Sequence, residues 1–253
     1  MNDLLFFSAV DNDYEKFLIL YIYFANKFNK NSCFEFLIKD LNDHFAQKIN
    51  EFKKEFKIDN ILLRTYNENI KADRLRFLCE PITICKYTYI GDVDIFINES
   101  IKKFHINRMI KNNTIYDNCI RPENKLKLSG LHFVKTKEWY NLTRNTRKSI
   151  FINSKNDLRN DEMILFDIAK KSNIKIHDDK GAFNRPLHGL HLSLNRVPFT
   201  DKLSFPTDLY KSMFIDDFLQ SDDFLKLKQY LSEDMINIIN TCTNYVIQNN
   251  MDK

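Results

Sequence analysis

Leu4-Leu5-Phe6-Phe7-Ser8-Ala9-Val10 runs without a charge and stops at Asp11. A strand covered by helices on both faces has no polar side to show, so it reads as an unbroken apolar run, whereas a half-exposed strand alternates. The stretch predicts a buried parallel strand that delivers Asp11 at its carboxyl end. Working outward, Asp13 is placed to cap a helix carrying Phe17, Leu20, Tyr21, Phe24 and Phe28 at helical spacing. Cys33 to Ile38 predicts a second strand, Leu41 to Phe56 an amphipathic helix, and Ile61-Leu62-Leu63 a third strand. A short helix over Ala72 to Leu78 precedes a strand at Tyr87-Thr88-Tyr89-Ile90. Strand and helix in alternation predict an α/β fold, a Rossmann-like mixed, mostly parallel sheet flanked by helices.

Strand-like character returns at Leu126 to Val134, and Asp161 to Lys170 reads as a helix. From Asp208 to Gln248 the pattern is helical, with a stripe of Phe214, Phe218, Leu225 and Leu227 that predicts core or dimer packing. The expected organisation is a main domain over 1–200 and a helical C-terminal extension over 201–253.

Bulk properties exclude several classes. The net charge of +4 comes from well-mixed signs, and the short basic groups (Lys102-Lys103, Lys125 with Lys127, and Arg144, Arg147 and Lys148) read as solvated surface. No nucleic-acid partner is expected. Five cysteines, an odd number without a CxxC pair, are neither a disulfide framework nor a zinc ribbon. The most apolar run, Phe17 to Ala25, is too short to span a bilayer, and Met1-Asn2-Asp3 opens without a basic leader. A cytoplasmic protein is expected, with peripheral contact at the inner face of the membrane and a homodimer as further expectations.

The chemistry is concentrated at Gly91-Asp92-Val93-Asp94, directly after the strand Tyr87 to Ile90 and before Ile95-Phe96-Ile97. Acids at i and i+2 on a strand end lie at the edge where α/β sheets bind ligands. They are the only charges in an apolar stretch, and an unpaired charge is costly to bury. A divalent cation takes carboxylate oxygens and keeps positions open for substrate phosphates. Asp92 and Asp94 are therefore candidate ligands for Mn²⁺ or Mg²⁺.

With these residues in view, the sequence resembles GT-A glycosyltransferases, most closely the retaining family 8 type, over residues 4 to 195. Val10-Asp11-Asn12-Asp13-Tyr14 is similar to the family's first strand end; the resemblance implies that Ala9, Asp11 and Tyr14 meet the nucleoside. Arg76, or less well Arg74, matches the arginine on the helix before the acid motif, and Asp92-Val93-Asp94 matches that motif. Ser129-Gly130-Leu131-His132-Phe133 looks like the strand that passes under the sugar, with Gly130 in contact. Asp161-Glu162-Met163 resembles the catalytic motif opening a later helix, and one of His188 and His191 is implied as a further metal ligand. The family's Lys-Pro-Trp after the histidine is replaced by Leu192-Ser193-Leu194-Asn195-Arg196.

The implied activity is transfer of a sugar from a nucleotide diphosphate donor, a UDP-sugar, to a glycan or glycolipid acceptor of a bacterial surface polysaccharide, with Glu162 and Asp161 catalytic. Two rivals are a nucleotidyltransferase and a catalytically silent glycan-binding subunit. The first would need a Gly-rich basic loop after the first strand, and Asp11-Asn12-Asp13-Tyr14 has no glycine. Taken singly, Tyr14 also reads as helix packing, His132 as a core histidine, and Trp139 as core.

Overall fold

The computed structural model describes residues 3–67, 69–121, 124–154, 159–176, 188–191 and 217–241. Arg196, Phe214 and Cys242 lie outside them, as do the side chains of Lys125 and His191. Strands β1 (Leu4–Val10), β2 (Cys33–Lys39), β3 (Ile61–Tyr66) and β4 (Tyr87–Ile90) run parallel in the order β3-β2-β1-β4. After them β5 (Ile95–Ile97) turns out of the sheet, which β6 (Tyr116–Asp117) and β9 (His132–Lys135) complete. Here the direction reverses, because β9 pairs antiparallel with both β4 and β6. β7 (Ile120–Arg121) and β8 (Asn124–Leu128) form a separate two-stranded arm, and β10 (Gly189–His191) pairs antiparallel with β5. This is the expected α/β class with a mixed, mostly parallel sheet. The strand-like stretch Leu126 to Val134 falls in β8 and β9, which are separated at Ser129-Gly130-Leu131.

Helices α1 (Leu18–Phe28) and α2 (Asp43–Phe56) cover one face of the sheet. α3 (Ala72–Leu78), α5 (Thr136–Ile152) and α6 (Asp161–Lys171) cover the other, and α4 (Lys102–Asn112) packs beside β6. Leu4, Phe6 and Val10 of β1 enter the first core, while Leu5, Phe7 and Ala9 enter the second. That double coverage is why the strand shows no polar alternation.

Two expectations need correction. Asp13 does not cap the first helix: a 3-10 turn at Glu15–Phe17 intervenes, and the N-cap position is Phe17 without a side-chain bond. The carbonyl of Asp11 accepts from the amides of Tyr14 and Glu15, both at 3.1 Å, so residues 11 to 14 form a turn instead. Nor is α1 amphipathic, since every residue from Leu18 to Ala25 is buried. Its outer side is covered by the segment 217–241, where Phe218 packs 4.8 Å from the Phe24 ring and Tyr230 packs 5.9 Å from Phe52. Phe218, Phe224, Leu227, Met235 and Ile239 join the same core. At about 1.5–3 kcal/mol per buried large side chain, their burial binds the segment firmly to the main body. Leu225 of the predicted stripe is instead exposed.

Candidate functional site

The carboxyl ends of β1 and β4 lie side by side, and the chain leaves each through a short polar loop. Ser8 Oγ donates to the Gly91 carbonyl at 2.7 Å, a buried bond that ties the two strand ends together. Gly91 itself is required by space, because a Cβ there would stand 2.9 Å from the Tyr89 ring. The next residues turn sharply, with the Ile95 amide reaching the Asp92 carbonyl at 3.3 Å, which brings both acids of the pair to the sheet edge. Asp94 is 4% exposed.

A cavity of about 540 Å³ opens at this edge. Ala9, Asp11, Tyr14, Arg76, Asp92, Asp94, Gly130, Asp161 and Glu162 all line it. Residues as far apart in the chain as Ala9 and Glu162 are thus brought together. Lys71, Asp73 and Asn160 also line it and carried no sequence signal. Asn160 is the N-cap of α6, its Oδ1 accepting from the Met163 amide at 3.0 Å. That capping bond places Asp161 and Glu162 in the helix's first turn, where acids are favoured by the dipole.

Arg76, buried on α3, is the hub. One Nη donates to Asp92, and Nη2 donates to Asp161 Oδ2 at 2.8 Å. Burial works against its charge, but Asp92 and Asp161 outweigh this and hold the guanidinium above its ordinary range. Its Nε is buried without a hydrogen-bond partner among the described residues. Gly130 passes directly over the cluster: a Cβ there would lie 3.1 Å from Arg76 Nη2, 3.5 Å from Asp161 and 3.6 Å from Asp92. Tyr14 is 37% exposed and leans on Phe17 at 5.7 Å, so its ring both packs and faces the cavity.

Of the two histidines, only His188 has a described side chain. His188 is absent from the cavity lining and is buried with a left-handed φ of 65°. Its Nδ1 contacts Glu99, and its Nε2 lies 3.0 Å from His105 Nε2. His105 Nδ1 meets Asp117 at 2.7 Å, and Arg108 Nε donates to the same carboxylate at 3.0 Å. Both ring nitrogens of His188 are thus engaged in a buried chain; burial and His105 lower its pKa to about 4. His191 pairs in register with Ile95, the residue after Asp94. The pairing demands Gly189, since a Cβ there would fall 1.9 Å from the Phe96 carbonyl oxygen.

As to a cation, the described residues hold no group of three His, Cys, Asp or Glu side chains drawn together around one point. The donor chemistry nevertheless fits a hard divalent ion. Asp11, Asp73, Asp92, Asp94, Asp161 and Glu162 line the cavity together with Lys71 and Arg76, and Asp11 Oδ1 is buried without a hydrogen-bond partner among the described residues. So acidic a cavity repels a phosphate unless a cation accompanies it.

Other predicted residues fall outside the site. His132 is buried at 0% exposure, with Nδ1 3.0 Å from the Asn118 amide nitrogen and the Trp139 ring 4.4 Å away. Trp139 is core. Arg147, expected at the surface, is 3% exposed, because its guanidinium finds backbone carbonyls on two helices.

No family model matches the chain, and no curated protein is similar to it by sequence. Among solved structures, it is similar to an active-site mutant of LgtC at 16% identity and a TM-score of 0.48, covering 66% of this chain and 69% of that one. The glycosyltransferase GlyE of Streptococcus pneumoniae matches at 12% identity and a TM-score of 0.47, over 65% of this chain and 42% of its own. A mannosyltransferase from Pyrobaculum calidifontis, solved with GDP-mannose and Mn²⁺, matches at 11% identity and a TM-score of 0.40, over 55% and 45%.

Proposed function

We propose that the chain is a metal-dependent GT-A glycosyltransferase that moves a sugar from a nucleotide diphosphate donor, a UDP-sugar, to a glycan or glycolipid acceptor. The observation that carries this reading is the cavity at the sheet edge, where Asp92 and Asp94 adjoin the Arg76–Asp161 pair beneath Gly130. Asp92 and Asp94 would hold Mn²⁺ or Mg²⁺, with His191 as a third ligand by its register beside Asp94. The bound ion would offset negative charge on the departing diphosphate.

In this reading Asp11 and Tyr14 hold the nucleoside at the end of β1. Arg76 sets the orientation of Asp92 and Asp161, and Gly130 leaves room for the sugar to approach them. Glu162, at the opening of α6, would stand beside the reacting carbon. Either it displaces the diphosphate and is displaced in turn by the acceptor hydroxyl, or it stabilises positive charge while the hydroxyl enters on the face the diphosphate leaves and gives up its proton to the departing diphosphate. Each course retains configuration. A bacterial surface polysaccharide is the proposed acceptor, and the inner face of the membrane the proposed place of action. Among the described residues no helix is long and apolar enough to cross a membrane.

The test is release of nucleoside diphosphate from a panel of nucleotide-sugars with manganese present. Release from a UDP-sugar, lost on chelation, is the expected result. Binding of UDP without turnover of any donor would favour a silent subunit, and binding of neither would remove the reading.

A further inference from the structure

Gly130 is held over Arg76 from behind by one fully buried amide. Asn118, between β6 and β7, is 0% exposed. Its Oδ1 accepts from the Cys119 amide at 2.5 Å and the Ser129 amide at 2.9 Å. Its Nδ2 donates to the Ser129 carbonyl at 2.9 Å and lies 3.0 Å from His132 Nδ1. An asparagine offers two acceptor sites and two donors, and all four are used.

Because both groups facing Oδ1 are N–H donors, the amide has only one orientation. Nδ2–H therefore points at His132, whose Nδ1 must accept, and the imidazole proton sits on Nε2. The C=O of Ser129 is thus bound by this side chain, and its N–H is shared between Asn118 Oδ1 at 2.9 Å and the Cys119 carbonyl at 3.0 Å. The next residue is Gly130, whose Cβ position lies 3.1 Å from Arg76 Nη2. At that separation a small rotation of the Ser129–Gly130 peptide changes what the cavity floor offers a ligand.

We infer that Asn118 is a positioning residue for the cavity: by clamping both backbone polar groups of Ser129 it fixes Gly130 against Arg76, and so shapes the place where the donor's sugar would lie. The last clause rests on the glycosyltransferase reading; the clamp itself does not.

The Asn118→Asp variant keeps the Oδ1 acceptor and replaces the donor with a second carboxylate oxygen. Nitrogen-15 NMR should then show the His132 proton moving to Nδ1, where it donates to the new carboxylate. The Gly130 amide and Arg76 guanidinium resonances should shift with it. Affinity for a UDP-sugar should fall at least tenfold, while UDP alone binds within twofold of the parent. His132→Gln, which spares the bonds to Ser129, should leave both affinities within twofold.

An unmoved Gly130 in Asn118→Asp, or UDP and UDP-sugar affinities that fall together, would overturn the inference. Should Asn118→Asp fail to fold, the parent protein decides: the Asn118 side-chain amide must shift on UDP-sugar but not on UDP, and equal shifts refute the claim. A parent that binds neither nucleotide removes the glycosyltransferase reading, and the Gly130 and Arg76 resonances of the variant then judge the clamp alone.

Discussion

Arg76 and Arg147 are equally buried, each 3% exposed, yet they are finished in different ways. Arg147 donates to Thr143 Oγ1, to the carbonyls of Leu78 and Tyr140, and to Glu80, and it lies over the Tyr140 ring at 4.7 Å. Its partners are two backbone carbonyls, a hydroxyl and a single carboxylate, and none of these residues lines the cavity. Arg76 instead holds two carboxylates that both line the cavity, and its Nε has no hydrogen-bond partner among the described residues. A buried cation whose partners all lie away from the cavity serves the fold. One whose partners are acids facing open space holds those acids ready for something else.

The largest effect that could break this comparison is expected at the acids themselves. Asp94→Asn should lower donor turnover about 10³-fold, or about 4 kcal/mol of transition-state stabilisation, with thermal stability nearly unchanged. Arg76→Gln should follow closely, because Asp92 and Asp161 then face one another without a cation. Turnover kinetics alongside thermal unfolding measure both. A variant of either residue that keeps parental turnover would show that the cavity is not where chemistry occurs.

Next in size is the structural arginine. Arg147→Gln strands the Leu78 and Tyr140 carbonyls and should cost about 2–4 kcal/mol of folding free energy. Turnover per folded molecule should stay at the parental value. Denaturant unfolding reads the first quantity and active-site titration the second. A stable but inactive Arg147→Gln would erase the distinction between the two arginines.

How far this was legible depends on where each residue's partners lie in the chain. β1, β4 and the acid pair could be read because their signal is local: apolar runs that end in charge. Arg147 looked like surface because its neighbours Arg144 and Lys148 are charged, while Leu78 and Glu80, which bury it, are 69 and 67 residues away. Glu35 is likewise a charge inside the strand β2 with 0% exposure. It is satisfied by Arg64 at 2.6 Å and by the amides of Ile82 and Thr83, and no local pattern announces them. The burial of His188 was equally hidden, since Glu99 and His105 lie 89 and 83 positions before it. The parallel order of β1 to β4 follows from alternation, but the reversal at β9 depends on strands too short to show periodicity.

His132 sharpens the comparison from a third side, with the smallest effect. Its Nε2 is buried without a hydrogen-bond partner among the described residues, as is the Nε of Arg76, but it does not line the cavity. Its incompleteness should therefore appear in stability and not in activity. Burial lowers its pKa from 6.5 to about 3, with a smaller contribution from His105. The unfolded chain takes up the proton near pH 6.5 while the folded chain refuses it until about pH 3. Between those limits the unfolded state binds more protons, so folding stability is intact above pH 6.5 and falls as the pH drops. One such group gives a slope of about 1.4 kcal/mol per pH unit. His105 and His188, both also lowered chiefly by burial, steepen the same acid limb. His132→Gln keeps an acceptor for Asn118 but has no proton to gain, so between pH 6 and 4 its slope should be shallower by about 1.4 kcal/mol per pH unit. Urea unfolding at a series of pH values measures the difference. Parallel slopes in parent and variant would mean that His132 already carries its proton when folded, and that this buried nitrogen is not a source of acid lability.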